Sequence, residues 1–304
     1  MALVLKTLDL ARAEFKEQLV IASKERPRIM ELICNPLNSR QEYEKFATLS
    51  GLPLPGPADE GELVPEGTPR KLYNKNWTVT KYGQRIRYSY EAKYTDQYQI
   101  FGTLGKQAGM RAMDNRDYLF GRFLNNITTN SAAYQGADSQ PFASTSHGAG
   151  TGSPTFSNTV SVATTLNPVN LNAAKAQVRR VLDPNDVPFR YTGQWSLLTV
   201  PDKEYVAMEV LNSTNQAFTA DNTMNSAKAN VYANTIIADF CTSTTAWGLF
   251  PTQKEDHGIF CMYRMPLTTE TDVDKQTQNE FIIVTEEMVI GWTHSYNTFW
   301  NPGA

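Results

Sequence analysis

A chain of 304 residues is long enough to bury a core in one elaborate domain or two ordinary ones, so size alone excludes little. A formal net charge of −3 excludes a general nucleic-acid binder, which needs a basic stripe to displace counterions from phosphates. The three cysteines, Cys34, Cys241 and Cys261, are odd in number and far apart, which argues against a disulfide framework and for a reducing compartment.

The N-terminal M-A-L-V-L-K-T-L-D-L-A-R-A-E-F-K carries a charge every few positions, which breaks the apolar run of a secretory signal. No stretch approaches the roughly eighteen apolar residues of a spanning helix, so the expectation is a protein made in the cytoplasm with no membrane partner. From Leu8 to Lys24, the residues Leu8, Ala11, Phe15, Leu19 and Ala22 recur at helical spacing and predict an amphipathic arm that Pro27 stops. The following R-I-M-E-L-I-C-N-P-L-N has no clear period and is read as an extended connection. Prolines are so dense from Gly51 to Lys71 that neither a helix nor a central strand can form; a projecting loop is predicted, with Asp59, Glu60, Glu62 and Glu66 at its acidic tip. L-Y-N-K-N-W-T-V-T-K-Y-G-Q-R-I-R-Y-S-Y-E alternates after it and predicts two strands around Tyr82 and Gly83, completing a long β-arm.

At Thr95 the period changes. Thr95 can cap a helix, and Asp96 suits the positive end of its dipole. Phe101, Leu104, Ala108, Ala112, Leu119, Phe123 and Ile127 then hold one face for roughly eight or nine turns. Gly102, Gly105, Gly109 and Gly121 each cost up to about 1 kcal/mol of helix propensity, which either close approach of another backbone or chance composition explains. Asn130 to Asn167, poor in charge and rich in Ser, Thr, Gly and Ala, is predicted to be a long surface loop. A shorter helix, L-N-A-A-K-A-Q-V-R-R-V-L-D, a buried strand, W-S-L-L-T-V-P, and a further helix, D-K-E-Y-V-A-M-E-V-L, make a compact α/β unit. The last third offers strands at A-N-T-I-I-A-D-F, T-A-W-G-L-F-P, G-I-F-C-M-Y-R-M and N-E-F-I-I-V-T-E-E-M-V-I-G-W.

Candidate chemistry concentrates in P-F-A-S-T-S-H-G-A-G-T-G-S-P-T-F-S-N, where Ser144 and Ser146 stand beside His147 with Asp138 upstream. A serine hydrolase using Ser146 and His147 needs a base held by a third group, but there is no G-x-S-x-G elbow between a strand and a helix. Gly148, Gly150 and Gly152 could offer amides to a phosphate, yet Ser-Pro follows where a phosphate loop requires Gly-Lys-Ser/Thr. His147, His257 and His294 lack any metal-ligand spacing, and the acidic tip lacks the glycine-centred spacing of a calcium loop. The expectation is therefore no catalytic residue, no metal and no cofactor. An arm and a tail that extend from a small body are there to be covered, and another copy of the same chain is the simplest cover.

The order of these parts resembles the major capsid proteins of tailed bacteriophages, more narrowly the Mu-like major head subunits. E-G-E-L-V-P-E-G-T at Glu60 to Thr68 is similar to the family's turn at the arm tip, and K-Y-G-Q-R-I-R-Y-S-Y-E to the strand after it. Y-T-D-Q-Y-Q-I-F-G-T-L-G resembles the opening of the spine helix, P-F-A-S-T-S-H-G at Pro141 to Gly148 a segment past its end, and L-T-V-P-D-K-E-Y-V-A-M-E-V-L-N-S a strand and helix of the central domain. The resemblance implies an α+β fold divided into an N-terminal arm (1–40), an extended β-hairpin arm or E-loop (41–93), a peripheral domain with spine helix and connecting loop (94–169), a central α/β axial domain (170–256) and strands returning to the peripheral domain (257–304). It also implies a non-enzymatic subunit of an icosahedral virion shell, assembled through pentamers and hexamers in the host cytoplasm around double-stranded DNA. Scaffolding, portal and decoration proteins are its expected partners. On the arm, Asp59, Glu60, Glu62 and Glu66 against Arg70, Lys71 and Lys75 are the candidate inter-subunit contacts. An encapsulin-type nanocompartment shell is the alternative with the same fold.

Overall fold

The computed structural model describes residues 13, 15–22, 24, 28–61, 63–69, 71–89, 100–148, 155–188, 191–215, 224–225, 232–274, 276–277 and 279–303. Along them run α1 (residues 15–22), α2 (Ile29–Ile33), β1 (Asn35–Asn38), β2 (Tyr43–Leu49), β3 (Lys71–Thr78), β4 (Thr80–Tyr88) and the spine helix α3 (Ile100–Asn125). There follow β5 (His147–Gly148), β6 (Thr155–Phe156), α4 (Pro168–Arg179), β7 (Trp195–Thr199), α5 (Glu204–Asn212), β8 (Tyr232–Ile237), β9 (Trp247–Pro251), β10 (Ile259–Val273), β11 (Glu280–Trp292) and β12 (Phe299–Asn301). Thr95, Asp96 and the first half of the amphipathic arm lie outside the described residues.

Two four-stranded sheets organise the body. In the first the order is β1-β10-β11-β4, with the long β10–β11 hairpin flanked by parallel β1 and antiparallel β4. The second runs β12-β9-β7-β8. Both β7 and β9 are buried at every residue because each of their faces is covered. Alternate side chains of a strand point to opposite faces. Trp195, Leu197, Leu249 and Phe299 accordingly meet Leu171, Ala174 and Val178 of α4 and Ala207 and Val210 of α5. Leu198, Ile236, Phe250 and Trp300 face the other way, into a core shared with Phe120, Phe123, Leu124 and Ile127 at the end of the spine. The helix α4 begins one residue after Asn167, whose side chain accepts the Asn170 amide at 2.7 Å, with Pro168 at its first position.

Close approach explains the spine glycines. A Cβ on Gly105 would stand 2.7 Å from the Phe15 carbonyl oxygen, and one on Gly109 would stand 2.6 Å from that of Leu19. Only hydrogen at these two positions lets α1 lie against the spine, where Phe15 and Leu19 join Ala108, Ile282 and Val284 in a small core. The side-chain surroundings of Gly102 fall outside the described residues.

Four readings of the sequence need correction. The stretch after Pro27 is no extended connection: it forms α2 and β1, because the Met30 amide donates to Asp117 Oδ1 of the spine at 3.1 Å and Asn35 to Asn38 pair with β10. The strand break falls at Val79 rather than at Tyr82 and Gly83, which sit mid-strand opposite Glu286 and Thr285 of β11. The arm is therefore β2 paired with β3, while β4 belongs to the body. Residues 130–167 are not a surface loop throughout, since Phe142, Ala143, Ser144, His147, Asn158 and Leu166 are all buried. Finally, β12 leaves the returning strands and joins the second sheet against β9.

Candidate functional site

The Ser-His segment is a structural plug. His147 is only 1% exposed, with Nδ1 2.7 Å from Asp138 Oδ2 and Nε2 3.0 Å from the Phe142 carbonyl oxygen. Both ring nitrogens thus face acceptors already in place, and neither is left to take a proton from a serine. Ser144 Oγ turns instead to Gln140 Oε1 at 3.3 Å, and the Ser144 amide donates to Asn158 Oδ1 at 2.9 Å. Asn158 closes the loop by donating to the Phe142 carbonyl at 2.7 Å, so a segment of polar composition satisfies its own groups in the interior. His147 stacks on Phe156 at 4.9 Å, Phe156 meets Tyr296 at 5.0 Å, and Tyr296 meets His294 at 5.5 Å. This aromatic ladder borders a cavity of about 30 Å³ that Thr48 and Tyr73 of the arm help to close.

Other reactive groups are quenched by burial. Burial pulls His257 down to about 4, helped by the neighbouring His294, and burial pulls His294 down to about 4 as well. The Cys261 thiol is pushed up to about 11 by burial, and Cys34 is raised by the same cause, so neither is a ready nucleophile. Among the described residues no three His, Cys, Asp or Glu side chains converge as metal ligands. Gly150 and Gly152 lie outside those residues.

Beyond the stem, the β-arm has no core of its own. Its strands pair from Tyr43↔Thr78 at the root to Leu49↔Lys71, and every described residue from 51 to 69 is exposed. The two limbs of the tip lean on each other: a Cβ on Gly67 would stand 3.3 Å from Pro53 Cδ, and one on Gly56 3.5 Å from Pro65 Cγ. Where the tip begins, Asn185 Nδ2 donates to the Ser50 carbonyl oxygen at 2.8 Å and latches the arm to the body. Exposed Leu52, Leu54, Leu63 and Val64 make this an apolar surface, with Leu63 97% exposed. A cluster of large bare side chains marks a site of interaction with another molecule.

The structure divides the charged candidates of the arm. Asp59, Glu60 and Glu66 are exposed at the tip and form no ion pair among the described residues, whereas Lys71 lies on the stem. Lys75 sits nearer the root, where its Nζ donates to the Ala132 carbonyl at 2.9 Å and lies 5.3 Å from the Trp77 ring. Glu62 and Arg70 lie outside the described residues. Sequence reasoning missed a second charged feature on the spine: Arg116 Nε donates to Glu286 Oε2 at 2.9 Å, with Glu31 3.4 Å from its Nη1. The available signal was T-E-E-M, two acids inside an otherwise apolar strand, which calls for a cation from a neighbouring element.

The described residues form a two-sheet body, a glycine-notched spine and an arm whose tip exposes large apolar side chains. The chain belongs to the phage capsid protein family, whose model matches residues 73–298. It is a structural, non-enzymatic protein of the virion. A virus-like particle from Pyrococcus furiosus has a similar fold, with TM-score 0.58 and 8% identity over 95% of this chain and 97% of that one. So does a chain of Microbacterium phage Oxtober96, with TM-score 0.56 and 10% identity over 90% and 92%. The capsid of Ralstonia phage GP4 gives TM-score 0.54 and 11% identity over 88% and 86%. A search of curated protein sequences found no match. No helix among the described residues is long and apolar enough to cross a membrane.

Proposed function

We propose that this protein is the major head subunit, assembling through pentamers and hexamers into an icosahedral shell around double-stranded DNA. The exposed, leucine-bearing β-arm carries this reading, because its apolar surface is satisfied only against a neighbour. The arm and the surface that receives it are different patches, so the contact is heterologous and builds rings that close or sheets that extend. A net charge of −3 suits a wall that encloses DNA without adhering to it. Under this reading the chain divides as 1–40, 41–93, 94–169, 170–256 and 257–304, with the fourth unit at the centre of each ring and the last reaching back into it through β12. The charged arm residues Asp59, Glu60, Glu62, Glu66, Arg70, Lys71 and Lys75 are its inter-subunit contacts. Scaffolding, portal and decoration proteins are the partners such a shell employs. The fold of a phage JBD30 capsid decorated with minor capsid protein trimers, at TM-score 0.52, supports the last of these. Kinship with the Mu-like subgroup rests on the order of motifs.

Negative-stain electron microscopy of the purified protein tests the proposal: shells or flat hexamer sheets are expected, and monodisperse monomers under every assembly condition would overturn it. The virus-like particle from Pyrococcus furiosus gives the nanocompartment reading its footing. Particle contents decide between them, since packaged DNA marks a phage head and a bound cargo enzyme a nanocompartment.

A further inference from the structure

We propose that the cavity between the spine helix and the first sheet is a binding site for a small linear aliphatic ammonium ion, with the Glu286 carboxylate as its partner. The proposal goes beyond shell formation and does not depend on it. On β11, Val284 and Glu286 stand two residues apart and so share one face, and Gln84 and Tyr82 of β4 lie directly opposite them. Across from these the spine presents Ala108, Arg111, Ala112 and Asn115, the i, i+3, i+4, i+7 spacing of a single helix side. Two of the four are alanines, too short to fill the space up to the sheet, and a cavity of about 340 Å³ remains, with Leu267 of β10 as a further wall. Small-molecule sites run from about 300 to 1,000 Å³, so this one suits a short ligand.

Glu286 gives the cavity its chemistry. The residue is 2% exposed, and its Oε2 accepts from Arg116 Nε at 2.9 Å. Oε1 has no hydrogen-bond partner among the described residues and is not sealed from solvent. A carboxylate can accept several bonds, so a donor that reaches Oε1 through the cavity completes its shell. A charged donor does this best, because a hydrogen bond between ions is roughly twice as strong as one between neutral groups. Ala108, Ala112, Leu267 and Val284 then cover the alkyl chain behind the ammonium group. The other charged group of the wall, Arg111, belongs to the rim: its side chain is 75% exposed and lies 3.5 Å from Asp114. An aliphatic acid would set a second carboxylate against Glu286, and an alcohol would forgo the charge-assisted bond.

Three probes of equal chain length, hexylamine, 1-hexanol and hexanoate, test the site on the full-length protein. Isothermal titration calorimetry at pH 7 should find hexylamine bound about tenfold or more tightly than either of the others. The thermal unfolding midpoint should also rise with hexylamine concentration, as binding to the folded state alone requires. Glu286→Gln keeps the shape of the wall and removes its charge; it should weaken hexylamine about tenfold and leave hexanol unchanged. Ala112→Leu fills the cavity without touching any charge and should abolish binding of all three probes, with circular dichroism confirming that both variants are folded. A wild type that does not bind hexylamine would overturn the proposal, and so would equal binding of the three probes, which would mark a general apolar cleft. Should Glu286→Gln fail to fold, Ala112→Leu decides: hexylamine binding undiminished in that variant would place the amine elsewhere and sink the site.

Discussion

Acidification should destabilise this protein through two histidines that are buried in neutral form. His257 and His294 both have folded-state values near 4, with burial as the leading cause for each, against an ordinary value of 6.5 in the unfolded chain. The folded values lie below the unfolded ones, so between pH 6.5 and 4 the unfolded state binds more protons. Their contribution is accordingly complete above pH 6.5 and is lost as pH falls. At pH 5 an unfolded histidine is almost fully charged and a buried one almost fully neutral, which gives a loss of about 2 kcal/mol for each, or about 4 kcal/mol for the pair. Asp117 and Asp256, raised by burial, work in the opposite sense, so the informative quantity is a difference between proteins. Urea unfolding at pH 7 and pH 5, followed by tryptophan fluorescence, should show a steeper loss for wild type than for a His257→Gln/His294→Gln variant. An identical loss in the two proteins would refute the assignment, whatever the absolute stability of the variant.

Three further expectations follow from the packing. Gly109→Ala gains up to about 1 kcal/mol of helix propensity but drives a methyl group into the Leu19 carbonyl, so limited proteolysis should cut faster near residues 15–22; unchanged protection would contradict the close approach. Arg116→Gln leaves Glu286, 2% exposed, without its cation and should cost about 3–5 kcal/mol in urea unfolding. Replacing both residues by leucine should recover much of that loss, and a single variant as stable as wild type would count against a coupled pair. His147→Ala removes the bonds to Asp138 and the Phe142 carbonyl and opens a hole, costing about 2–4 kcal/mol of stability. A chromogenic ester assay should find no turnover by wild type, and activity that vanishes in the variant would revive the hydrolase reading.

What the sequence made legible was whatever a local pattern determines. The spine declared itself through Leu104, Ala108, Leu119 and Phe123 at helical spacing, and β7 through the unbroken W-S-L-L-T-V-P, because period and length suffice for each. The arm tip was legible from its prolines, which forbid the pairing that would let it join a sheet. By contrast, α2 and β1 depend on Asp117 and on β10, partners far away in the chain that no period encodes. Pro141 to Asn158 misled for a different reason: its composition is that of surface, but Asn158, 0% exposed, spends its amide on Ser144 and Phe142. Composition counts polar groups without knowing which of them meet. The cavity beside Glu286 was illegible altogether, since β4, the spine, β10 and β11 each supply one wall.

The buried plug and the bare arm are parts of one arrangement. An arm that must find a neighbour binds more tightly the less freedom it loses on docking. Here the root is fixed from several sides: Phe46 lies 4.5 Å from Phe260 of β10, Lys75 holds the Ala132 carbonyl, and Asn185 holds Ser50. The ladder from His147 to His294 fills the space beneath Thr48 and Tyr73 and removes the room in which the stem could hinge. Loosening the plug, as in His147→Ala, should therefore weaken assembly as well as stability. It would do so through the arm's root and without touching any residue at the tip. That separates the plug's role from that of the acidic tip, whose reversal should weaken assembly while leaving the unfolding of the isolated subunit unchanged.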